Sequence, residues 1–166
     1  VVSAWIDVPA SKGHEERHRS SKQRRSEAAR VALEVRRLLQ ELPASMSVGV
    51  ITFYSAQRDR IYEELAKFEI TQRADAQWRI APEHASTPEC PERLRIGTVD
   101  AFQGKEFDVV LLSTVRSNEL RLEARNDADD AAYEKAASRK YGHLRVDNRL
   151  NVAMSRQRRI LIAVGD

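Results

Sequence analysis

Apolar residues fall in short blocks along the chain, and their period changes from block to block. Ala4–Val8 is a brief run around Trp5 and Ile6 and predicts a strand. From Pro9 to about Arg25 the chain is polar and basic, with Gly13 and three serines, and predicts a loop. Ser26 can cap a helix reaching about Leu42, because Val31, Val35, Leu38, Leu39 and Leu42 recur on one face at the 3.6-residue period. Pro43 then stops it. Val48–Phe53 is β-branched and apolar, a strand. Ser55 can cap a second helix to about Phe68, with Ile61, Leu65 and Phe68 a turn apart.

The stretch from Thr71 to Arg93 holds three prolines and few apolar residues and predicts a long connection. Arg95–Val99 and Asp108–Val115 follow as strands. Val109, Val110, Leu111 and Leu112 are consecutive, as in a strand buried on both faces. Glu119–Lys140 has helical composition without a large apolar face and reads as a surface insertion. Asn148–Arg158 predicts a short helix and Ile160–Val164 a last buried strand.

Strands alternating with helices predict an α/β sandwich on a mostly parallel sheet. About eight residues separate the strand ending at Val99 from the one starting at Asp108, fewer than a usual parallel crossover needs. These two strands are therefore joined by a tight turn or are not neighbours. Ligands of such sheets sit beyond the carboxyl ends of the strands, here Tyr54–Gln57, Asp100–Glu106, Arg116–Asn118 and Gly165–Asp166.

Composition narrows the class. At 166 residues and 42% hydrophobic the chain can bury the core of one domain. No apolar run approaches the roughly 18–20 residues that span a bilayer, so no membrane partner is expected. No basic-then-apolar leader opens the chain, and the expected location is the cytoplasm. The single cysteine, Cys90, excludes an internal disulfide framework and a multi-thiolate zinc site. Net charge is +3, but it is unevenly spread. Lys12–Arg37 carries nine Lys/Arg against four acids, and Arg145–Arg159 five Arg against Asp147 alone. Two basic ends suit a polyanion as well as a solvated surface.

Two motif-like strings lack the context their chemistry needs. His14-Glu15-Glu16-Arg17-His18 matches H-E-x-x-H, which binds zinc on a helix with a buried face and a third ligand. Gly13 precedes it and no apolar residue backs it, so no metal site is expected and a zinc hydrolase is the weakest reading. Gly97 to Glu106 contains two glycines and a lysine, but six residues separate Gly97 from Gly104, and Glu106 stands where a P-loop has its hydroxyl. Nothing else in the chain forms a phosphate-cradling loop.

Three further segments act together: Val48–Gln57, then Thr98–Glu106 running into Val109–Asn118, then Arg149-Leu-Asn-Val-Ala-Met-Ser-Arg156 before the final strand. In this order they closely resemble the second, C-terminal RecA-like domain of superfamily 1 helicases. The branch is the one holding the nonsense-mediated-decay RNA helicase, senataxin-like proteins and replication nuclease-helicases. The resemblance spans residues 1–166, with Glu119–Lys140 outside it, and implies a RecA-like three-layer sandwich. It implies that Gln103-Gly104-Lys105-Glu106 is motif V, with Glu106 on the nucleotide ribose and Gly104 allowing close backbone approach. Arg156 would be the motif VI arginine finger, and Arg149, earlier on the same helix face, would bind the nucleotide together with Gly104, Lys105 and Glu106. Thr98 would touch the nucleic-acid backbone, and Ser55, Gln57, Thr114 and Arg116 would line the single-strand track.

The chain departs from the family pattern at Phe53, where proline is usual, at Arg24, where Ser-x-x-Asn-x-x-Glu-Ala (here Ser21 to Ala28) has asparagine, and at Met154-Ser155, where Leu-Thr is usual. By the resemblance, ATP and Mg2+ are bound mainly by a first, Walker A-bearing RecA-like domain that is absent from this sequence. The expected partners are that domain and single-stranded DNA or RNA, and the expected activity is ATP-dependent unwinding by the full-length protein. The alternative is a non-catalytic nucleic-acid-binding module that keeps the fold alone.

Overall fold

A computed structural model describes residues 2–122 and 130–166. The chain opens with β1 (Val2–Asp7), a small hairpin of β2 (Glu16–His18) and β3 (Ser21–Gln23), and α1 (Arg25–Glu41). It continues through β4 (Val48–Thr52), α2 (Ser55–Ala66), a second hairpin of β5 (Thr71–Ala74) and β6 (Gln77–Ile80), and the single turn α3 (Pro82–Ala85). Then come β7 (Leu94–Thr98), β8 (Phe107–Ser113), α4 (Asp130–Tyr141), α5 (Asp147–Met154) and β9 (Gln157–Gly165). Among the described residues no helix is long and apolar enough to cross a membrane.

Five strands form one parallel sheet in the order β1-β9-β8-β4-β7. The two that read as continuous apolar runs, β4 and β8, are buried at every position because both faces of the sheet are covered there. On one face, Val31, Val35 and Leu38 of α1 and Ile61 and Leu65 of α2 close over Val48, Val50, Val109 and Leu111. On the other, Phe102, Phe107 and Ala153 of α5 pack with Ile51, Val110 and Leu112. The result is the expected three-layer sandwich.

The short link from β7 to β8 works because these strands are not neighbours: β4 lies between them. The connection is a 3-10 turn, Val99–Phe102, laid flat on the sheet. Two glycines make that contact possible. A Cβ on Gly49 of β4 would stand 2.9 Å from the Phe102 ring, and one on Gly97 of β7 would stand 2.9 Å from the Ala101 Cβ.

Several expectations are corrected. The polar Pro9–Arg25 stretch is no simple loop: it contains the antiparallel β2–β3 hairpin, with Lys22 paired to Glu15 at 2.6 Å. Thr71–Arg93 contains the β5–β6 hairpin and α3. Neither Ser26 nor Ser55 is an N-cap. Arg24 and Tyr54 hold those positions without side-chain capping bonds, and the Ser21 hydroxyl accepts the Ala56 N–H at 3.1 Å instead. Helix α5 stops at Met154, so Arg156 and Arg158 lie beyond it, in the turn and in β9. Of the Glu119–Lys140 segment, residues 130–140 belong to α4, and residues 123–129 lie outside the described part.

Candidate functional site

The segment after the 3-10 turn runs from the carboxyl rim of the sheet to its amino rim. Phe107, at the start of β8, pairs with Gln157, at the start of β9, and the Phe107 N–H donates to the Arg156 carbonyl at 2.9 Å. Glu106 and Arg156 therefore stand side by side at the amino ends of these strands, with Gly104 and Lys105 in the segment that leads to them. This corrects the expectation that Asp100–Glu106 lies wholly beyond a carboxyl end. Gln103 to Glu106 are all exposed. Gly104 has φ +73° with nothing within 4 Å of a would-be Cβ, so the turn needs glycine for its backbone and leaves that side open.

The cations of this rim differ in their partners. Arg158 Nε lies 3.6 Å from Glu106, Arg159 Nε 3.3 Å from Asp108, and Arg149 Nη2 3.4 Å from Asp100 at the far end of α5. Lys105 Nζ lies 2.7 Å from Glu92. Burial pulls the Glu92 carboxyl up, but Lys105 and Arg95 outweigh it and hold it below its usual range. Asp108 is likewise lowered: partial burial is outweighed by the Ser47 N–H and hydroxyl at 2.9 and 3.0 Å and by Arg158 and Arg159. Arg156 is different. Its Nε donates to the Val152 carbonyl at 3.0 Å and its Nη2 to the Ser155 hydroxyl at 2.9 Å. Among the described residues no carboxylate pairs with it. The acceptors that hold its guanidinium there are both neutral.

The residues expected to line a strand track separate into two groups. Ser55 is exposed at the start of α2, and Thr98 is half-buried at the end of β7. Gln57 is fully buried. Its Nε2 donates to the Ser113 hydroxyl at 3.0 Å, and its Oε1 accepts the Arg24 N–H at 2.7 Å. Thr114 is buried against Gly165, where a Cβ would come within 2.1 Å of the Thr114 hydroxyl. Arg116 is buried too. It pairs with Glu15 at 2.7 Å and donates to the Arg139 and Lys140 carbonyls at the end of α4. A cation at a helix C-terminus satisfies its orphan carbonyls and opposes its dipole. Arg116 thus docks α4 onto the carboxyl rim. In this arrangement Gln57, Thr114 and Arg116 are not brought together with Ser55 and Thr98 on one open surface.

One role was missed in the sequence. Glu27 is the glutamate of the Ser21–Ala28 string and lies one turn before Val31 on the apolar stripe of α1, a charge on a buried face that was the available signal. Its Oε1 accepts the Ser113 hydroxyl at 2.6 Å and the Val115 N–H at 2.9 Å. Burial raises its pKa to about 7, against the opposing pull of Ser113, Val115 and Arg24. Arg24, the residue that replaces the family asparagine, is fully buried beside it at 3.6 Å and also bonds the Val8, Pro9 and Gly13 carbonyls.

The H-E-x-x-H string lies in the hairpin region rather than on a helix. Its Glu15 is held by Lys22, Arg116 and the Ser117 N–H. Among the described residues no group of three or more His, Cys, Asp and Glu is placed to hold a metal.

A family model described as an AAA domain matches residues 2–166. The chain is 35% identical over 124 residues to the DNA polymerase alpha-associated DNA helicase A of Saccharomyces cerevisiae, covering 72% of this chain and 12% of that protein. It is 31% identical over 123 residues to the mouse RNA helicase Mov10l1, covering 74% of this chain and 8% of that protein. It is 29% identical over 142 residues to the regulator of nonsense transcripts 1 homolog of Arabidopsis thaliana, covering 86% and 9%. The chain thus spans about a tenth of the length of these curated relatives. The C-terminal domain of a possible DNA helicase from Lactobacillus plantarum WCFS1 shares the fold, with a TM-score of 0.50 at 13% identity over 99% of this chain and 74% of that one. The chain belongs to this AAA-domain family and has the fold of the C-terminal RecA-like domain of superfamily 1 helicases.

Proposed function

We propose that this chain is the C-terminal motor domain of an ATP-dependent superfamily 1 helicase acting on single-stranded DNA or RNA, with Arg156 as its arginine finger. The observation that carries this reading is the contrast among the arginines: Arg149, Arg158 and Arg159 each face a carboxylate, whereas Arg156, among the described residues, is held by the Val152 carbonyl and the Ser155 hydroxyl and faces none. A planar guanidinium suits phosphoryl oxygens. Its neighbours fit a nucleotide: the exposed Glu106 carboxylate can accept from ribose hydroxyls, and Gly104 leaves room for close backbone approach.

The ATP and Mg2+ of the reaction, bound mainly by the first RecA-like domain of the same polypeptide, supply the phosphoryl group and its charge neutralisation. This chain's part is to present Arg156 across the interdomain cleft and to hold the strand at Ser55 and Thr98. Arg149 orders the outer end of α5 through Asp100, so the helix leading to Arg156 is anchored at both ends. The reading is supported by relatives named as DNA and RNA helicases. Single-strand-stimulated ATP hydrolysis by the full-length protein tests it. A full-length protein that binds strand and ATP yet shows no stimulated turnover contradicts it and favours the binding-module alternative.

A further inference from the structure

The β5–β6 hairpin stands outside the central sheet and packs on α2. Its turn residues Asp75 and Ala76 both have positive φ, 50° and 62°, as a two-residue hairpin turn of the primed type requires. That turn sets Arg73 directly opposite Trp78. The Arg73 guanidinium lies 5.5 Å from the Trp78 ring centroid, and Trp78 lies 6.2 Å from the Tyr62 ring of α2 with the planes 16° apart. Trp78 is only half-buried by these contacts.

Beside the two rings opens a groove of about 600 Å³, within the roughly 300–1,000 Å³ range of sites that take small ligands. Arg58 lines the groove too, and Gly97 and Thr98 bring the carboxyl end of β7 into it. Asp59 and Glu63 also line it, but each is engaged by an arginine, Arg58 and Arg60, at 2.7 Å. Arg73 pairs with no carboxylate among the described residues. The groove therefore offers the exposed part of Trp78, a cation, Arg73, that lies over the edge of that aromatic pair and meets no carboxylate among the described residues, and, at Thr98, continuity with the proposed strand contact.

We propose that Trp78, backed by Tyr62 and flanked by Arg73, is a base-stacking subsite for one nucleotide of a single strand. This rests on the nucleic-acid reading of the carboxyl rim and adds to it a platform that lies outside the motif segments. Stacking tolerates any base because every base has a π-face, and Arg73 supplies a phosphate contact next to it.

The test uses the chain carrying Trp5→Phe, which leaves Trp78 as its sole tryptophan. It is titrated at low salt with a thymidine oligomer and with an abasic oligomer of equal length, reading oligomer anisotropy and tryptophan emission together. The thymidine oligomer quenches Trp78 emission at the midpoint seen by anisotropy, and the abasic one binds without quenching. Trp78→Ala weakens thymidine-oligomer binding roughly 5- to 100-fold, as loss of one stacked base does, and leaves abasic binding unchanged. Trp78→Phe retains most of the affinity. Unchanged abasic binding also shows that the variant is folded. If the thymidine oligomer binds without quenching and Trp78→Ala binds it as tightly, the subsite is overturned while the nucleic-acid reading stands. If neither oligomer binds the unaltered chain, the nucleic-acid reading falls and the subsite with it.

Discussion

The Glu27 carboxylate accepts the Val115 N–H at 2.9 Å, and Val115 is a fully buried β-branched residue at φ +70°. Such a residue in the left-handed region costs on the order of 1–3 kcal/mol and persists only where its surroundings enforce it. Glu27 enforces it from α1, across the layer, and so sets the direction of the chain between Thr114 and Arg116. At about pH 8, where Glu27 is charged, Glu27→Ala removes this hold and leaves the buried Arg24 charge without its carboxylate. The expected loss is about 3–5 kcal/mol in urea unfolding. A loss under about 1 kcal/mol, the size of an ordinary surface change, contradicts this role.

Glu27 also makes stability depend on pH. Its pKa is about 7 in the fold against 4.5 for the unperturbed group, because burial disfavours the charged form. Between these values the folded chain keeps a proton that the unfolded chain has lost. The contribution of Glu27 to stability is therefore greatest below pH 4.5, falls as pH rises through the window, and levels off above about pH 7. The total fall is on the order of 3 kcal/mol. The measurement is unfolding free energy against pH for the unaltered chain minus that of Glu27→Gln. The difference should decline across the window, and a flat or rising difference contradicts the account.

Gly49 carries the crossover. An added Cβ would meet the Phe102 ring at 2.9 Å and the Phe107 ring at 3.0 Å, and both rings are buried with little room to move. Gly49→Ala should cost about 1–3 kcal/mol by overpacking. Gly104→Ala is the contrast: its Cβ meets nothing, so only the backbone cost of φ +73° remains, about 1–2 kcal/mol, with no disturbance of the core. Near-ultraviolet circular dichroism separates the two. The aromatic signal should change in Gly49→Ala and persist in Gly104→Ala.

Much of the fold was legible because burial on both sides writes itself as unbroken apolar sequence, as in β4 and β8, and because α1 carries a clean stripe. The two hairpins were not legible. Their strands are three or four residues long and held by cross-strand partners such as Glu16 with Gln23 and Arg73 with Trp78, which leave no period. The end of α5 was not legible either, since the polar run Ser155–Arg159 continues past Met154 without a proline or glycine to mark the stop. In the candidate site, the exposed Gly104–Glu106 segment and Arg156 stood out as a motif. The burial of Gln57 and Arg116 did not, because it depends on Ser113, Glu15 and the α4 carbonyls, all distant in sequence.

On the proposed reading the chain contributes part of a strand track, so in isolation it should bind single strands weakly. A Kd of roughly 10⁻⁴ to 10⁻⁶ M is expected near physiological salt, rising steeply with ionic strength as counterion release dictates. Oligonucleotide anisotropy at several salt concentrations checks this. An affinity indifferent to salt contradicts a phosphate-based grip.

The most direct measurement of the central claim is strand-stimulated ATP turnover by the full-length protein carrying Arg156→Ala. The charge of Arg156 is needed mainly in the transition state, so kcat should fall far more than ATP affinity. The expected loss is about 10³- to 10⁵-fold, or roughly 4–7 kcal/mol of barrier. Arg156→Lys should recover little, because an ammonium lacks the planar fork. Arg158→Ala and Arg159→Ala should keep most of the turnover, since those side chains face Glu106 and Asp108. Near-normal turnover in Arg156→Ala, with loss in either of the other two, would contradict the account.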